Sequence, residues 1–73
     1  MRDYHINVFW SAEDNAYIAD IPDLKYCSAH RPTPEAALHE VLTAKDAWLK
    51  TAKANAKPIP HPRYRPTIYQ VAH

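Results

Sequence analysis

The chain contains no glycine at all. Loops that cradle phosphate need glycine for close backbone approach, so P-loop and dinucleotide-binding chemistry is excluded. Any left-handed turn must come from another residue, with Asn and Asp the natural substitutes. Cysteine is nearly absent as well: Cys27 stands alone, which excludes an intrachain disulfide framework and a multi-cysteine zinc site. Such a chain suits a reducing compartment, and a cytoplasmic location is expected. No apolar run approaches the roughly 20 residues a membrane helix requires, and Asp3 and His5 stand where a signal peptide would have its apolar core. Neither membrane insertion nor export is expected. Large aliphatic residues are scarce too: Val, Ile and Leu number 12 together, no more than Ala alone. Five Tyr, two Trp and one Phe must therefore supply much of the core. Finally, acids are missing from one end. Residues 47–73 hold five cations and no acid, whereas residues 1–46 hold all eight acids against four Arg and Lys.

Seventy-three residues make one small domain, and a chain of that size buries only about 60% of the surface its unfolded form exposes. A core so limited gains from association with a second subunit or a partner. The expected arrangement is a core over about residues 3–56, followed over 57–73 by a proline-rich arm and a candidate last strand.

Asp3 to Trp10 alternates, with Tyr4, Ile6, Val8 and Trp10 on one face and His5, Asn7 and Phe9 on the other, the period of a β-strand. The polar stretch from Ser11 to Asn15 reads as a turn in which Asp14 or Asn15 takes the left-handed conformation. Tyr17 to Ile21 forms the second strand of a hairpin. After Pro22-Asp23, the segment Leu24 to Ala29 reads as a short third strand centred on Tyr26 and Cys27. Thr33-Pro34-Glu35 opens a helix: Thr33 caps free N–H groups, Pro34 suits the first helical position, and Glu35 meets the positive end of the dipole. From about Pro34 to Asn55, Ala37, Leu38, Val41, Leu42, Ala44, Trp48, Leu49 and Ala52 fall on one stripe. The expected fold is α+β: a small antiparallel sheet with one long helix on one face, Leu38, Val41 and Trp48 meeting Ile6 and Val8. Lys57 to Pro62 cannot be helical, and Thr67 to Ala72 alternates again as a candidate fourth strand.

Few side chains invite chemistry. The acids lack the spacing that would place two carboxylates around one bond, and the five histidines (His5, His30, His39, His61, His73) show no helical i, i+4 pair. Cys27 and His30, three apart on a strand, point to opposite faces, so Cys27 reads as a small core residue rather than a nucleophile. No catalytic, metal-binding or cofactor-binding residue is expected, and no cofactor. Lys45 interrupts the apolar stripe, either as a snorkelling stem or as an interface residue.

Ile21-Pro22-Asp23-Leu24, followed by Cys27, Ala29, Thr33, Glu35, Ala37-Leu38, Trp48-Leu49 and Pro58-Ile59-Pro60, resembles the HicB-like antitoxin family of type II toxin–antitoxin systems over about residues 4–62. Pro62-Arg63-Tyr64-Arg65-Pro66 with Ile68-Tyr69-Gln70 resembles the ending of its short members. The resemblance implies a β-β-β-α-β module like half of a ribonuclease H fold, without catalytic carboxylates, that binds and blocks a HicA-type mRNA interferase. The operator-binding segment of longer relatives has no counterpart here, so DNA binding of that kind is not expected. Where the family commonly has glycine, this chain has Tyr26, Arg31 and Ala56; where it has an acid, this chain has Ala36 and His61. Glycine just before a helix cap marks a left-handed conformation that is costly for Arg31, so the loop from Ala29 to Pro32 is expected to take a different path here.

These readings give two sets of candidate residues. Partner binding is expected at Asp23, His30 and Arg31, and on an extended, exposed arm carrying Arg63, Tyr64 and Arg65. Phe9 and Ile18, on the face away from the helix, are expected to join a homodimer or higher homo-oligomer through the sheet. The alternatives are an orphan oligomeric HicB-like protein with no toxin, or a weak nucleic-acid binder acting through the basic tail.

Overall fold

The computed structural model describes residues 3–66. Three strands, β1 (Asn7–Ser11), β2 (Ala16–Asp20) and β3 (Ser28–Arg31), precede one helix, α1 (Pro34–Ala54). The sheet is antiparallel throughout in the order β1-β2-β3, so the fold is α+β. The candidate strand Thr67 to Ala72 lies outside the described residues.

Local chemistry explains each boundary. At the hairpin, the Ser11 hydroxyl donates to the Asp14 carboxylate at 2.9 Å and accepts from the Asp14 N–H at 3.3 Å. The Asn15 N–H closes the turn on the Ala12 carbonyl at 3.3 Å. Asn15 takes the left-handed conformation at φ 49°, the role expected of it where glycine is missing. At the start of α1 the Thr33 hydroxyl accepts from the Ala36 N–H at 3.2 Å, with Pro34 in the first turn. At its end the Ala56 N–H reaches the Lys53 carbonyl (3.1 Å) and the Lys57 N–H reaches Ala52 (2.8 Å). Ala56 is left-handed at φ 53°. This is a Schellman ending with alanine in the position glycine usually fills.

The third strand is displaced from its expected place. Leu24 to Cys27 is not strand but two successive turns: the Leu24 N–H donates to Ile21 at 3.0 Å and the Cys27 N–H to Leu24 at 3.1 Å. Tyr26, at φ 62°, leaves the strand region altogether. Only after this knot does β3 begin, four residues later than the apolar pattern suggested. Arg31 closes β3 and, unlike Asn15, Tyr26 and Ala56, has no positive φ. Arg31 is ordinary strand and the helix is capped without a reversal, in keeping with the different path expected of this segment.

The core is built from Ala19, Ile21, Leu24, Cys27, Ala29, Ala37 and Val41, all buried, with Tyr4, Ile6, Tyr17, Ala44 and Trp48 packed partly against it. Cys27 is a core residue, as expected. The helix lies mainly over β3 and β2 and only marginally over β1. Val8 and Leu38, expected to meet in the core, are instead 40% and 38% exposed. A three-stranded sheet is narrow, and one helix cannot cover all of it. Lys45 resolves as a snorkelling side chain: its stem is largely covered, and its Nζ meets the Asp3 carboxylate at 3.2 and 3.3 Å. The Tyr4 N–H, and then Lys45, hold the Asp3 carboxyl below the usual carboxylate range. Among the helices of the described residues, none is long and apolar enough to cross a membrane.

Ile21 is 1% exposed and Leu38 is at the surface, so their truncations should differ in kind. Ile21→Ala is expected to cost about 2–5 kcal/mol in urea unfolding, with cavity formation adding to lost burial. Leu38→Ala should cost less than about 1 kcal/mol.

Candidate partner-binding surfaces

The residues singled out for partner binding fall into two clusters at opposite ends of β3. The first gathers Asp23, Arg63 and Tyr64. The arm does not project as a free polyproline rod; it turns back along its own domain. The Tyr4 hydroxyl donates to the Pro60 carbonyl at 2.6 Å. The Asp23 carboxylate accepts the Arg63 N–H at 3.1 Å and the Tyr64 N–H at 3.1 and 3.3 Å. The Tyr64 ring then packs on His5, centroids 4.9 Å apart. Two consecutive N–H groups on one carboxylate make a charge-assisted clasp, so the Asp23 carboxylate is engaged by the chain's own arm. Burial, and next the Asp23 and Asp3 charges, push the Tyr4 phenol above its ordinary pKa, so it stays a donor to Pro60. Arg63, Tyr64 and Arg65 keep exposed side chains.

The second cluster holds His30 and Arg31. His30 is exposed on the face away from α1, in register with Ile18. The Arg31 guanidinium donates to the His30 carbonyl at 2.6 Å and pairs with Glu40 at 3.1 Å. Arg31 therefore ties β3 to α1 at the half-exposed surface. Phe9 and Ile18 stand directly opposite one another on β1 and β2, on the face away from the helix as expected, and Phe9 is 49% exposed.

Tyr26 was missed. At the tip of the β2–β3 connection it is 90% exposed and left-handed, a backbone state that costs a bulky residue about 1–2 kcal/mol. The Lys25 ammonium sits over its ring at 5.4 Å. From below, the Trp48 indole N–H fixes the same loop by donating to the Lys25 carbonyl at 3.0 Å. The ordering cost of this exposed aromatic loop is thus met within the domain itself. The available signal in the sequence was a bulky residue where the resemblance has glycine.

The loop also walls an open hollow of about 330 Å³, lined by residues that include Pro22, Leu24, Tyr26 and Cys27. Burial pushes the Cys27 thiol above its ordinary pKa, which keeps it protonated and unreactive. Among the described residues no three His, Cys, Asp or Glu side chains are grouped to hold a metal ion, and every buried side-chain N or O atom has a hydrogen-bond partner.

Comparison with known proteins finds a relative of similar extent. A UPF0150 protein of Synechocystis sp. is 34% identical over 53 residues, covering 73% of each chain. The chain belongs to the UPF0150 family. No family model matches this UPF0150 chain, and no solved structure matches it.

The Asp23 clasp can be tested directly. Asp23→Ala should free the arm, raising amide hydrogen exchange at Arg63 and Tyr64 at least tenfold while leaving exchange in α1 within twofold. Unchanged protection at Arg63 and Tyr64 would mean that Asp23 does not hold them.

Proposed function

We propose that this UPF0150 chain is a HicB-like, antitoxin-type protein that binds and covers a small HicA-type mRNA interferase without chemistry of its own. UPF0150 is the HicB-related family, and the residues from Ile21 to Pro60 carry the HicB-like pattern. The observation that supports the reading best is backbone conformation. Two of the three positions where that pattern has glycine, Tyr26 and Ala56, are left-handed, so the chain keeps the backbone path while changing the side chain. At Tyr26 the change adds an exposed phenol at the loop tip.

Recognition rests on the β3 edge and the β2–β3 connection. The β3 edge offers unpaired backbone groups for strand addition, with His30 on one face. Tyr26 supplies the anchor, in keeping with the enrichment of Tyr at interface hot spots. Arg31 positions the edge through Glu40, and Asp23 positions the arm.

Co-expression with a neighbouring HicA-like reading frame tests the assignment. The toxin alone should arrest growth, and this chain should restore it. Tyr26→Ala should weaken binding of the purified pair by at least tenfold, with unfolding unchanged or slightly improved. Continued arrest in the presence of the folded chain would refute the proposal.

A further inference from the structure

We infer that Arg31 is a gate on the β3 edge: its guanidinium holds the His30 carbonyl closed, and a partner strand adds there only by displacing it. The inference rests on the strand-addition reading of that edge given above and names its regulation.

Backbone direction identifies the groups that β3 turns outward. The Ile21 N–H donates to the Cys27 carbonyl at 3.0 Å, one step beyond the Asp20↔Ser28 pair, and the register continues through Ala19↔Ala29 to Tyr17↔Arg31. Bonded and non-bonded pairs alternate along an antiparallel ladder, so Ala29 and Arg31 spend their N–H and C=O groups on β2. Ser28 and His30 turn theirs away from it. One of these outward groups is already taken. The Arg31 guanidinium donates through Nη1 to the His30 carbonyl at 2.6 Å, and through Nη2 it pairs with the Glu40 carboxylate at 3.1 Å. The described arm docks elsewhere, at Asp23 and His5.

A tie between β3 and α1 needs only the Glu40 half of this arrangement. The bond to the His30 carbonyl does something further: it sets a cation across the hydrogen-bonding line of the strand, a device by which sheets discourage pairing at an edge. Position 31 has no conformational need of a special residue. The family pattern has glycine there, yet the backbone is ordinary strand without a positive φ, so what this chain gains from Arg31 is its side chain. Ser28 and His30 are exposed, which leaves Arg31 as the group an incoming strand has to move.

The gate is weak enough to open. The Arg31 and Glu40 side chains are each 43% exposed, and an ion pair so solvated contributes little. When a strand arrives, its backbone N–H replaces the guanidinium at the His30 oxygen, so the acceptor is bonded before and after. The guanidinium gives up a charge-assisted bond and keeps Glu40. Opening therefore costs something on every approach, and a strand that pairs well with β3 regains it through its own ladder bonds. Poorly matched strands do not, which makes Arg31 a filter on what adds to this edge.

Stopped-flow association with the purified HicA-like protein of a neighbouring reading frame, together with nitrogen NMR of the Arg31 guanidinium in the free chain, tests the gate. In the free chain the Arg31 Nη resonances should be resolved by restricted rotation, and Glu40→Ala should average them. Arg31→Thr, a strand former too short to reach the carbonyl, should associate at least threefold faster than wild type, and Glu40→Ala should change the rate in the same direction. Because the gate is ionic, the ratio of the Arg31→Thr rate to the wild-type rate should shrink towards one at about 1 M salt. A residue that only ties β3 to α1 would lower stability without raising the rate, and a direct contact residue would slow association or weaken it. An averaged guanidinium in the free wild-type chain, or a rate unchanged or lowered by Arg31→Thr, would overturn the gate alone. No association by wild type or by either variant would refute the toxin-binding reading, and the gate with it.

Discussion

The short connection from Ile21 to Cys27 holds the molecule together. Its three backbone hydrogen bonds, Ile21 to Cys27 and the two turns through Leu24, tighten the chain enough to bury Ile21, Leu24 and Cys27 side by side. In a chain with few large aliphatic residues these form much of the core, and Val41 from the helix completes it. Everything else is fastened to the same knot. Trp48 secures the helix to it through the Lys25 carbonyl, and Asp23 secures the arm through two consecutive N–H groups. The bond from Ile21 to Cys27 also fixes which way every strand residue faces its neighbours. Polar fastening of this kind suits a small domain, because it adds tertiary constraint without requiring a larger apolar interior.

The knot has a conformational cost, concentrated at Tyr26. Without glycine, each reversal of the chain falls on a residue with a side chain. Asn15 tolerates the left-handed region because its short polar side chain suits it. Ala56 has little to lose, lying at a helix end where the Schellman bonds compensate. Tyr26 has neither excuse. Its ring makes a single described contact, with Lys25, and is otherwise in solvent. A strained backbone under an exposed aromatic is a poor choice for stability alone, and that is why recognition is assigned there.

How much of this was legible depended on whether the signal was local. Thr33-Pro34 marks the helix start to the residue, and alternation from Tyr4 to Trp10 sorts Phe9 onto the outer face, because capping and strand period act over a few residues. The third strand was misplaced for an equally physical reason. Leu24, Tyr26 and Cys27 are apolar enough to resemble a buried strand, but their burial comes from turns, which periodicity cannot distinguish. Leu38 and Val8 looked like core because an amphipathic stripe records what a helix is able to bury; the width of the sheet decides what it does bury. Seven prolines predicted an extended arm but not the surface that receives it. That surface is defined by one carboxylate, Asp23, some 40 residues away in sequence. Of the candidate residues, Asp23 and Arg31 also make contacts within the domain itself, to the arm and to Glu40, which local patterning could not foresee.

The account turns on the left-handed loop, and the sign of one stability change tests it. Tyr26→Gly should raise stability by about 1 kcal/mol in urea unfolding, since glycine relieves the strain and the phenol contributes little packing to lose. If Tyr26 instead lay in a strand, glycine would lower stability by roughly 1 kcal/mol through lost β-propensity and chain entropy. A rise is the result the fold predicts, and a fall would contradict it.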